Sequence, residues 1–328
     1  MQMRTRIVFP PPIFAYIGEP LGPAAADVFT VRSFGQGRVN TLLAVSRPLL
    51  LALVCALTFA APAHAASTVD YVRGAQNSDG GFGMTQSGGS SQLATGWALL
   101  GLSAAGTKPG PAALGYVKRG LGSLTAIGDI ERTVLVVRAA GQDPRKFGGR
   151  DLISDVLRHR KSDGSFDGYV SYTSFAILAL RRSGVSASSG TVKRAARWIE
   201  RHQNKDGGFN VGGSGASGVD DTASAVQALR LAGRRSSARR GAAFLAAQQN
   251  ANGGFPLTRN AAPNAQSTAY AVQGLVAAGG HASAIKKAQA YLRSLTEPNG
   301  LVRYSRTGRQ TPVWVSAQAL MALHRRPF

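Results

Sequence analysis

A turn pattern, Gln-Asn-x-Asp-Gly-Gly-Phe, recurs along the chain and constrains its fold more than any other feature. It stands at residues 76–82 and 203–209, and a near copy with Asn in place of Asp stands at residues 249–255. Degenerate copies of the pattern occupy residues 160–166 and 296–300. Paired glycines reach the positive φ that ends a helix and reverses the chain. Each copy therefore predicts a helix, a tight turn and a second helix.

The spacing of these turns predicts six helical hairpins. The Asp or Asn positions 163, 206, 252 and 299 are 43, 46 and 47 residues apart, and Asp79 lies 84 residues, or two units, before Asp163. We therefore expect a degenerate sixth unit at residues 116–141, which lacks the turn pattern. Five second helices are predicted to end at a glycine: Gly106, Gly141, Gly184, Gly233 and Gly279. Six hairpins of similar length form either an open solenoid or a closed ring, and unit length alone does not decide.

Three copies share a further pattern, an aromatic-aliphatic pair before the glutamine: Tyr71-Val72, Trp198-Ile199 and Phe244-Leu245. This repeat resembles that of the prenyltransferase and squalene-cyclase superfamily, although the family's final aromatic residue is often Trp and here it is Phe. The resemblance covers about residues 66–326. It implies an all-α fold, an α/α toroid in which six inner helices surround a central cavity and six outer helices lie behind them. An all-α solenoid of another family is the alternative.

The first 65 residues predict export. Residues 1–37 are rich in proline and show no periodicity, which indicates an unstructured or mis-assigned extension. Residues 38–65 contain a short apolar run that ends at Ala63-His64-Ala65, an A-x-A cleavage signal. The run is short for a membrane span, so we predict a secretory signal peptide cleaved after Ala65, a secreted or extracytoplasmic protein, and a toroid domain at residues 66–328. An uncleaved signal anchor is the alternative, and the late position of the signal suggests a true start at Val31 or Val39.

The predicted cleavage removes the only cysteine, Cys55, so the mature chain can form neither a disulfide nor a thiolate metal site. The protein prenyltransferases of the resembling family use a zinc ion held by Asp, Cys and His. The sequence therefore argues against zinc-dependent prenylation. The remaining histidines are scattered over different units, and we expect no metal and no cofactor.

The charge balance predicts an anionic partner. Residues 66–328 carry 33 Lys and Arg against 14 Asp and Glu, an excess of 19 positive charges. Such an excess attracts wall polymers or anionic lipid surfaces. Nucleic acid is not expected, since no known reading motif is present. In a toroid the ends of the second helices share one rim, and the basic-rim candidates there are Arg181, Arg182, Arg234 and Arg235. The helix dipole also favours cations at these ends, which is a purely structural interpretation.

One short segment, Gly218-Val219-Asp220-Asp221-Thr222-Ala223, could carry chemistry. It resembles the D-x-D-D-T-A motif of squalene-hopene and related class II terpenoid cyclases. The resemblance implies that Asp220 is the proton donor and that Asp221 is the last Asp of the motif. The first Asp is replaced by Gly218, and the family's cyclases build their cavity between two helical domains where this chain predicts one. The structural alternative is that an Asp caps the following helix.

An aromatic column could line the cavity. Trp97, Phe175 and Tyr270 each lie nine residues before a closing glycine. Such a column can hold an isoprenoid or another apolar ligand, or it can pack inner helices against outer ones. The register does not tell which side faces inward.

Three functions are compatible with these patterns. We favour an exported toroid that binds an apolar, isoprenoid-like ligand or an envelope component without catalysis. The alternatives are a class II terpenoid cyclase-like enzyme that protonates a polyprene through Asp220, and a structural interaction repeat protein. The incomplete acid motif, the single domain and the predicted export favour binding over cyclisation.

Overall fold

The computed structural model describes residues 67–328, so the predictions for residues 1–37 and 38–65, and for cleavage after Ala65, lie outside the described residues. The described part contains twelve α-helices: α1 (Thr68–Arg73), α2 (Gln92–Ala104), α3 (Pro111–Arg119), α4 (Ile127–Ala139), α5 (Leu152–Arg158), α6 (Val170–Arg182), α7 (Gly190–Arg201), α8 (Val219–Leu231), α9 (Arg235–Ala247), α10 (Ala265–Ala278), α11 (Ala282–Ser294) and α12 (Pro312–Leu323). A 3₁₀ turn (Gly120–Ser123) follows α3, and two short antiparallel strands, β1 (Phe255–Pro256) and β2 (Pro263–Asn264), precede α10.

The even-numbered helices form a closed inner ring. Each contacts the next one along the chain, and α12 contacts α2. A Cβ atom at Gly101 would lie 2.3 Å from the carbonyl oxygen of Ala317, so this glycine lets α2 and α12 meet where the ring closes. The repeat therefore builds a closed toroid rather than an open solenoid, and the predicted α/α toroid is confirmed.

The odd-numbered helices form the outer layer, and each lies against the inner helices of its own region. In α7 the buried residues Val192, Ala195, Ala196 and Ile199 follow the spacing of a helix with one apolar face. By contrast, every residue of α12 from Val313 to Ala322 is buried. Outer helices are thus one-sided, and inner helices are covered on all sides. None of the helices in residues 67–328 is both long enough and apolar enough to span a bilayer.

The chemistry of the turn explains the repeat pattern. Asp206 accepts a hydrogen bond from the amide of Gly208 at 2.9 Å, and Asn252 accepts the same bond from Gly254 at 3.0 Å. Either side chain closes this local turn, which is why Asp and Asn alternate at this position. The intervening Gly207 has φ of +87°, the conformation for which the pattern predicted glycine.

In two units the repeat glutamine ties the turn to the next outer helix. The side-chain amide of Gln203 donates to the carbonyl oxygens of Gly207 at 2.8 Å and Ser237 at 2.9 Å. Gln249 repeats this arrangement one unit later, donating to Gly253 and to Ala284. One side chain thus fixes the turn and positions the neighbouring hairpin.

A buried hydroxyl in the inner helix anchors the turn of five units. It accepts a hydrogen bond from the backbone amide of the residue that ends the turn pattern. The pairs and distances are Thr95 with Phe82 (2.8 Å), Thr173 with Phe166 (3.0 Å), Thr222 with Phe209 (2.9 Å), Thr268 with Phe255 (2.9 Å) and Ser316 with Val302 (2.9 Å). Thr222 of the Asp-Asp-Thr-Ala segment is therefore a structural residue of the repeat.

Replacing Thr222 by valine is expected to lower the free energy of unfolding by about 1–3 kcal/mol, because the buried amide of Phe209 loses its acceptor. Urea unfolding at constant pH measures this change. The matched control is Thr258→Val, at an exposed threonine, which should change stability by less than about 0.5 kcal/mol. Equal effects of the two substitutions would contradict the anchoring role.

Candidate functional site

Aromatic rings from separate inner helices meet in the lumen of the toroid. The ring centroid of Trp97 on α2 lies 6.5 Å from that of Phe175 on α6 and 6.2 Å from that of Tyr270 on α10. Trp97 also stacks on Trp314 of α12 at 6.3 Å. Helices α2, α6 and α10 are not neighbours in the ring, so their rings can meet only across the centre. We call Trp97, Phe175, Tyr270 and Trp314 the aromatic layer; the three rings predicted as a column thus lie in the lumen.

Phe328 completes this layer from one end of the lumen. It follows α12, and its ring centroid lies 5.2 Å from that of Phe175 and 5.8 Å from that of Trp97. Its backbone amide donates to Oε1 of Gln227 at 2.9 Å, and Arg182 donates to its backbone oxygen. The sequence pattern did not indicate this residue, because it stands outside the repeats.

Asp220 and Asp221 lie in the first turn of α8, but neither caps the helix. The N-cap residue is Gly218, and no side chain makes the capping hydrogen bond. The capping interpretation of these two residues is therefore wrong. Asp220 is instead buried and Asp221 half-buried, and in the described part of the chain Oδ1 of each has no hydrogen-bond partner.

Burial changes the acidity of this pair. It raises the pKa of Asp220 to about 7, against the opposing effect of a hydrogen bond from Ser267. The pKa of Asp221 is also raised to about 7, first by burial and then by the neighbouring charge of Asp220. Desolvation disfavours the charged form, so these carboxyl groups retain protons at a pH where an exposed Asp is ionised.

Glu131 on α4 is a third buried carboxyl group, which the sequence analysis missed. It is 0 % exposed, and neither of its oxygens has a partner among residues 67–328. Burial, and then the charge of Asp167, raises its pKa well above its ordinary value, while Arg132 opposes the shift. Arg132 is itself buried and pairs with Asp129. A Glu within the apolar run of a predicted second helix was the available signal, in the unit that lacks the turn pattern.

Tyr270 connects Asp220 and Asp221 to the aromatic layer. Burial raises the pKa of its phenol most, the charges of Asp220 and Asp221 raise it further, and Arg132 lowers it. These groups, from α8 and α4, are therefore close enough to Tyr270 to act on it electrostatically. We call Asp220 and Asp221 the acid layer.

One register of the inner helices is polar in three helices and apolar in the other three. The register lies six residues before the glycine that follows each inner helix, or before His324 in the case of α12. Glutamine stands there in α8, α10 and α12, and leucine stands there in α2, α4 and α6: Gln227, Gln273, Gln318, Leu100, Leu135 and Leu178. Gln273 is 1 % exposed, and neither atom of its amide has a partner in the described region. Counting back from the closing positions, as for the aromatic column, finds this set in the sequence.

An open cavity of about 760 Å³ lies at the ends of α2, α4, α6 and α12. We call it the mouth pocket. Its apolar lining includes Leu100, Leu135, Met321 and Phe328. Arg138, Arg182, Arg326 and His324 also line it, and none of its described lining residues is acidic.

The four basic-rim candidates have different environments. Arg181 donates through Nε to the carbonyl oxygen of Leu231 at 3.0 Å, and Arg182 donates to the backbone oxygen of Phe328. Arg234 lies 3.4 Å from a carboxylate oxygen of Glu200, and Arg235 is exposed at the start of α9.

The bond from Arg181 belongs to a series around the rim. Arg138 donates through Nε to the oxygen of Arg182 at 3.0 Å, and Arg230 donates likewise to that of Ala277 at 3.0 Å. The last carbonyls of a helix lack partners within that helix. These arginines supply partners from the preceding inner helix, so part of the basic excess has a structural function.

No group of three or more His, Cys, Asp or Glu residues that could hold a metal ion is found within residues 67–328. His159 instead lies against Asp167, with Nδ1 2.9 Å from a carboxylate oxygen.

These features define a terpenoid cyclase-like toroid. The family model for the squalene-hopene cyclase C-terminal domain matches residues 129–264. The model for the prenyltransferase alpha-alpha toroid domain matches residues 45–116 and 222–322, more than half of the chain. The chain belongs to the prenyltransferase alpha-alpha toroid family. No curated protein sequence matches it.

Solved structures of several activities share the fold. The type II terpene cyclase MstE from Scytonema, in complex with geranylgeranyl dihydroxybenzoate, matches with a TM-score of 0.60 and 12% identity, over 79% of this chain and 95% of that one. The ent-copalyl diphosphate synthase from Streptomyces platensis matches with a TM-score of 0.53 and 21% identity, over 71% of this chain. Only 50% of that synthase is spanned.

A possible member of the GH105 family from Salmonella enterica also matches, with a TM-score of 0.58 and 13% identity, over 79% of this chain and 92% of that one. At these identities the likeness shows the fold alone, and a shared fold does not fix an activity.

Proposed function

We propose that the protein binds an isoprenoid-like ligand in the lumen of the toroid. The observation that carries this proposal is the aromatic layer, in which Trp97 meets Phe175 and Tyr270 across the ring. These flat apolar rings adjoin the mouth pocket through Phe328 and offer dispersion contacts to a branched hydrocarbon chain. The acid layer next to Tyr270 offers hydrogen-bond donors and acceptors to a polar group. The complex of MstE with a geranylgeranyl compound is consistent with this use of the fold.

A class II cyclase is the second candidate, and the acid layer favours it. Asp220 is buried, Asp221 is half-buried, and the pKa of each is raised to about 7, so a proton is held beside aromatic rings that stabilise cations. The chain also spans 95% of MstE, which is named a type II terpene cyclase. The single domain is therefore no argument against this activity.

The acidity of Asp220 argues for binding rather than cyclisation. Protonating an alkene requires a strong acid, and a carboxyl group with a raised pKa is a weak one. Among the effects that shift the pKa of Asp220, only the hydrogen bond from Ser267 lowers it. Gly218 stands where the cyclase motif has its first Asp, so the full carboxylate cluster of that motif is absent at this position. Secretion and contact with an anionic envelope surface remain predictions.

The test is incubation with linear polyprenes, with and without a diphosphate, followed by extraction and mass spectrometry. Unmodified polyprene should be recovered bound to the parent protein and to the Asp220→Asn variant, which keeps the shape of the side chain. A cyclised product that forms with the parent and disappears with the variant would establish the cyclase instead. Neither product nor bound polyprene would reject both candidates.

A further inference from the structure

Phe328 occupies one end of the lumen as a ligand would. Its ring lies among Phe175, Trp97 and Tyr270, with centroid distances of 5.2, 5.8 and 6.5 Å. Its amide donates to Gln227, and its backbone oxygen accepts from Arg182. Phe328 thus contacts three kinds of group at once: aromatic rings, the acceptor oxygen of Gln227 and the guanidinium of Arg182. A ligand at this end of the lumen would meet the same three groups.

The acceptor for the amide of Phe328 is Oε1 of Gln227, a buried side chain. Gln227 is 1 % exposed, and its Nε2 atom donates to the carbonyl oxygen of Ala223 at 3.3 Å, which turns Oε1 towards Phe328. A buried acceptor without a partner costs about 1–3 kcal/mol. The site therefore selects an occupant that carries an N–H or O–H group at this position.

The cation in this arrangement belongs to the mouth pocket. Arg182 and Arg138 line this cavity, and none of the described residues that line it is acidic. A guanidinium group forms its strongest and most directional hydrogen bonds with a carboxylate, which can accept two of them at once. The pocket therefore favours a carboxylate where the backbone oxygen of Phe328 now lies.

We propose that the mouth pocket and the adjoining aromatic layer bind a carboxylic acid that carries a flat apolar group and a neighbouring hydrogen-bond donor. Residues 325–328 occupy this site in cis, and the ligand enters when they leave. The proposal deepens the proposed function, on which it rests for the use of the lumen, and adds the head group and the end of entry. Neither the acid motif nor the basic-rim pattern assigns this site.

The probe is N-acetylphenylalanine, which has the ring, the amide N–H and the carboxylate. Binding is followed by fluorescence in a Trp198→Phe background, because the remaining tryptophans, Trp97 and Trp314, both lie in the lumen. The Phe328→Ala variant and a variant lacking residues 325–328 should each bind the probe at least tenfold more tightly than the parent. Two variants are used so that a folding defect in one, detected by circular dichroism, leaves the test intact.

Two controls address the head group. N-acetylphenylalanine amide, which lacks the carboxylate, should bind the shortened variant at least tenfold more weakly than the acid. Adding Arg182→Gln to that variant should cause a similar loss, whereas Arg235→Gln, at an exposed rim arginine outside the pocket, should cause none. Equal binding of acid and amide would overturn the carboxylate assignment.

Farnesol, measured in parallel, separates this inference from the proposed function. If farnesol binds and N-acetylphenylalanine binds none of the variants, the mouth site is rejected and the isoprenoid function stands. If the acid binds and farnesol does not, the isoprenoid function fails and the carboxylate site stands. Absence of both rejects both.

Discussion

Replacing Glu131 by methionine is expected to raise the free energy of unfolding at pH 7.5 by about 1–3 kcal/mol, the usual cost of a buried polar group that has lost its partners. The residue is fully buried, and both of its oxygens are unpartnered in the described part of the chain. Methionine fills a similar volume without a group that titrates. Guanidinium chloride unfolding of parent and variant measures the difference, and a loss of stability would show that Glu131 has a partner in solution.

The same substitution should flatten the pH dependence of stability. The folded state keeps protons on Glu131, Asp220 and Asp221 because their pKa values are raised, while the unfolded chain releases these protons above about pH 4. The unfolded state then binds fewer protons, so the parent loses stability as the pH rises from about 4 to 7. The Glu131→Met variant should lose less over this range. Thr258→Val, which changes no titratable group, is the control and should leave the slope unchanged.

Truncating Trp97 to alanine is expected to lower the free energy of unfolding by about 3–5 kcal/mol, the largest loss predicted for this protein. The indole contacts the rings of Phe175, Tyr270, Trp314 and Phe328, so its removal opens a cavity where four elements meet. Urea unfolding measures the loss, and binding of polyprene should disappear with it.

Trp97→Phe is the matched control for this truncation. It keeps an aromatic ring, and it removes an indole N–H that has no partner within the described residues. We therefore expect a loss well below that of the alanine variant. Equal losses would mean that the size of the cavity does not determine the effect.

The repeat units were predictable because their turn depends on local chemistry. Gly207 needs a positive φ, and Asp206 needs only the amide two residues later, so both leave a readable pattern in the sequence. Closure of the ring was not readable in this way. It depends on α2 meeting α12 across more than two hundred residues, and only the resemblance to a known family implied it.

The site was less predictable because its side chains act across the lumen. The pattern found Trp97, Phe175 and Tyr270 but did not tell which way they faced. It placed Asp220 and Asp221 correctly at the start of α8 but wrongly allowed them a capping role, which Gly218 takes without a side chain. Glu131 lay in the unit without a turn motif, and Phe328 lay outside every unit. The spacing of residues along one helix does not show which residues of another helix its side chains will contact.

The contact between α2 and α12 also determines how the protein unfolds. In an open array of hairpins, the first and last units have a neighbour on one side only, and they fray before the middle unfolds. Here the inner helix of every hairpin is flanked on both sides. No unit is an end in this sense, so loosening any one of them breaks two interfaces. The ring is therefore expected to hold together until it opens as a whole.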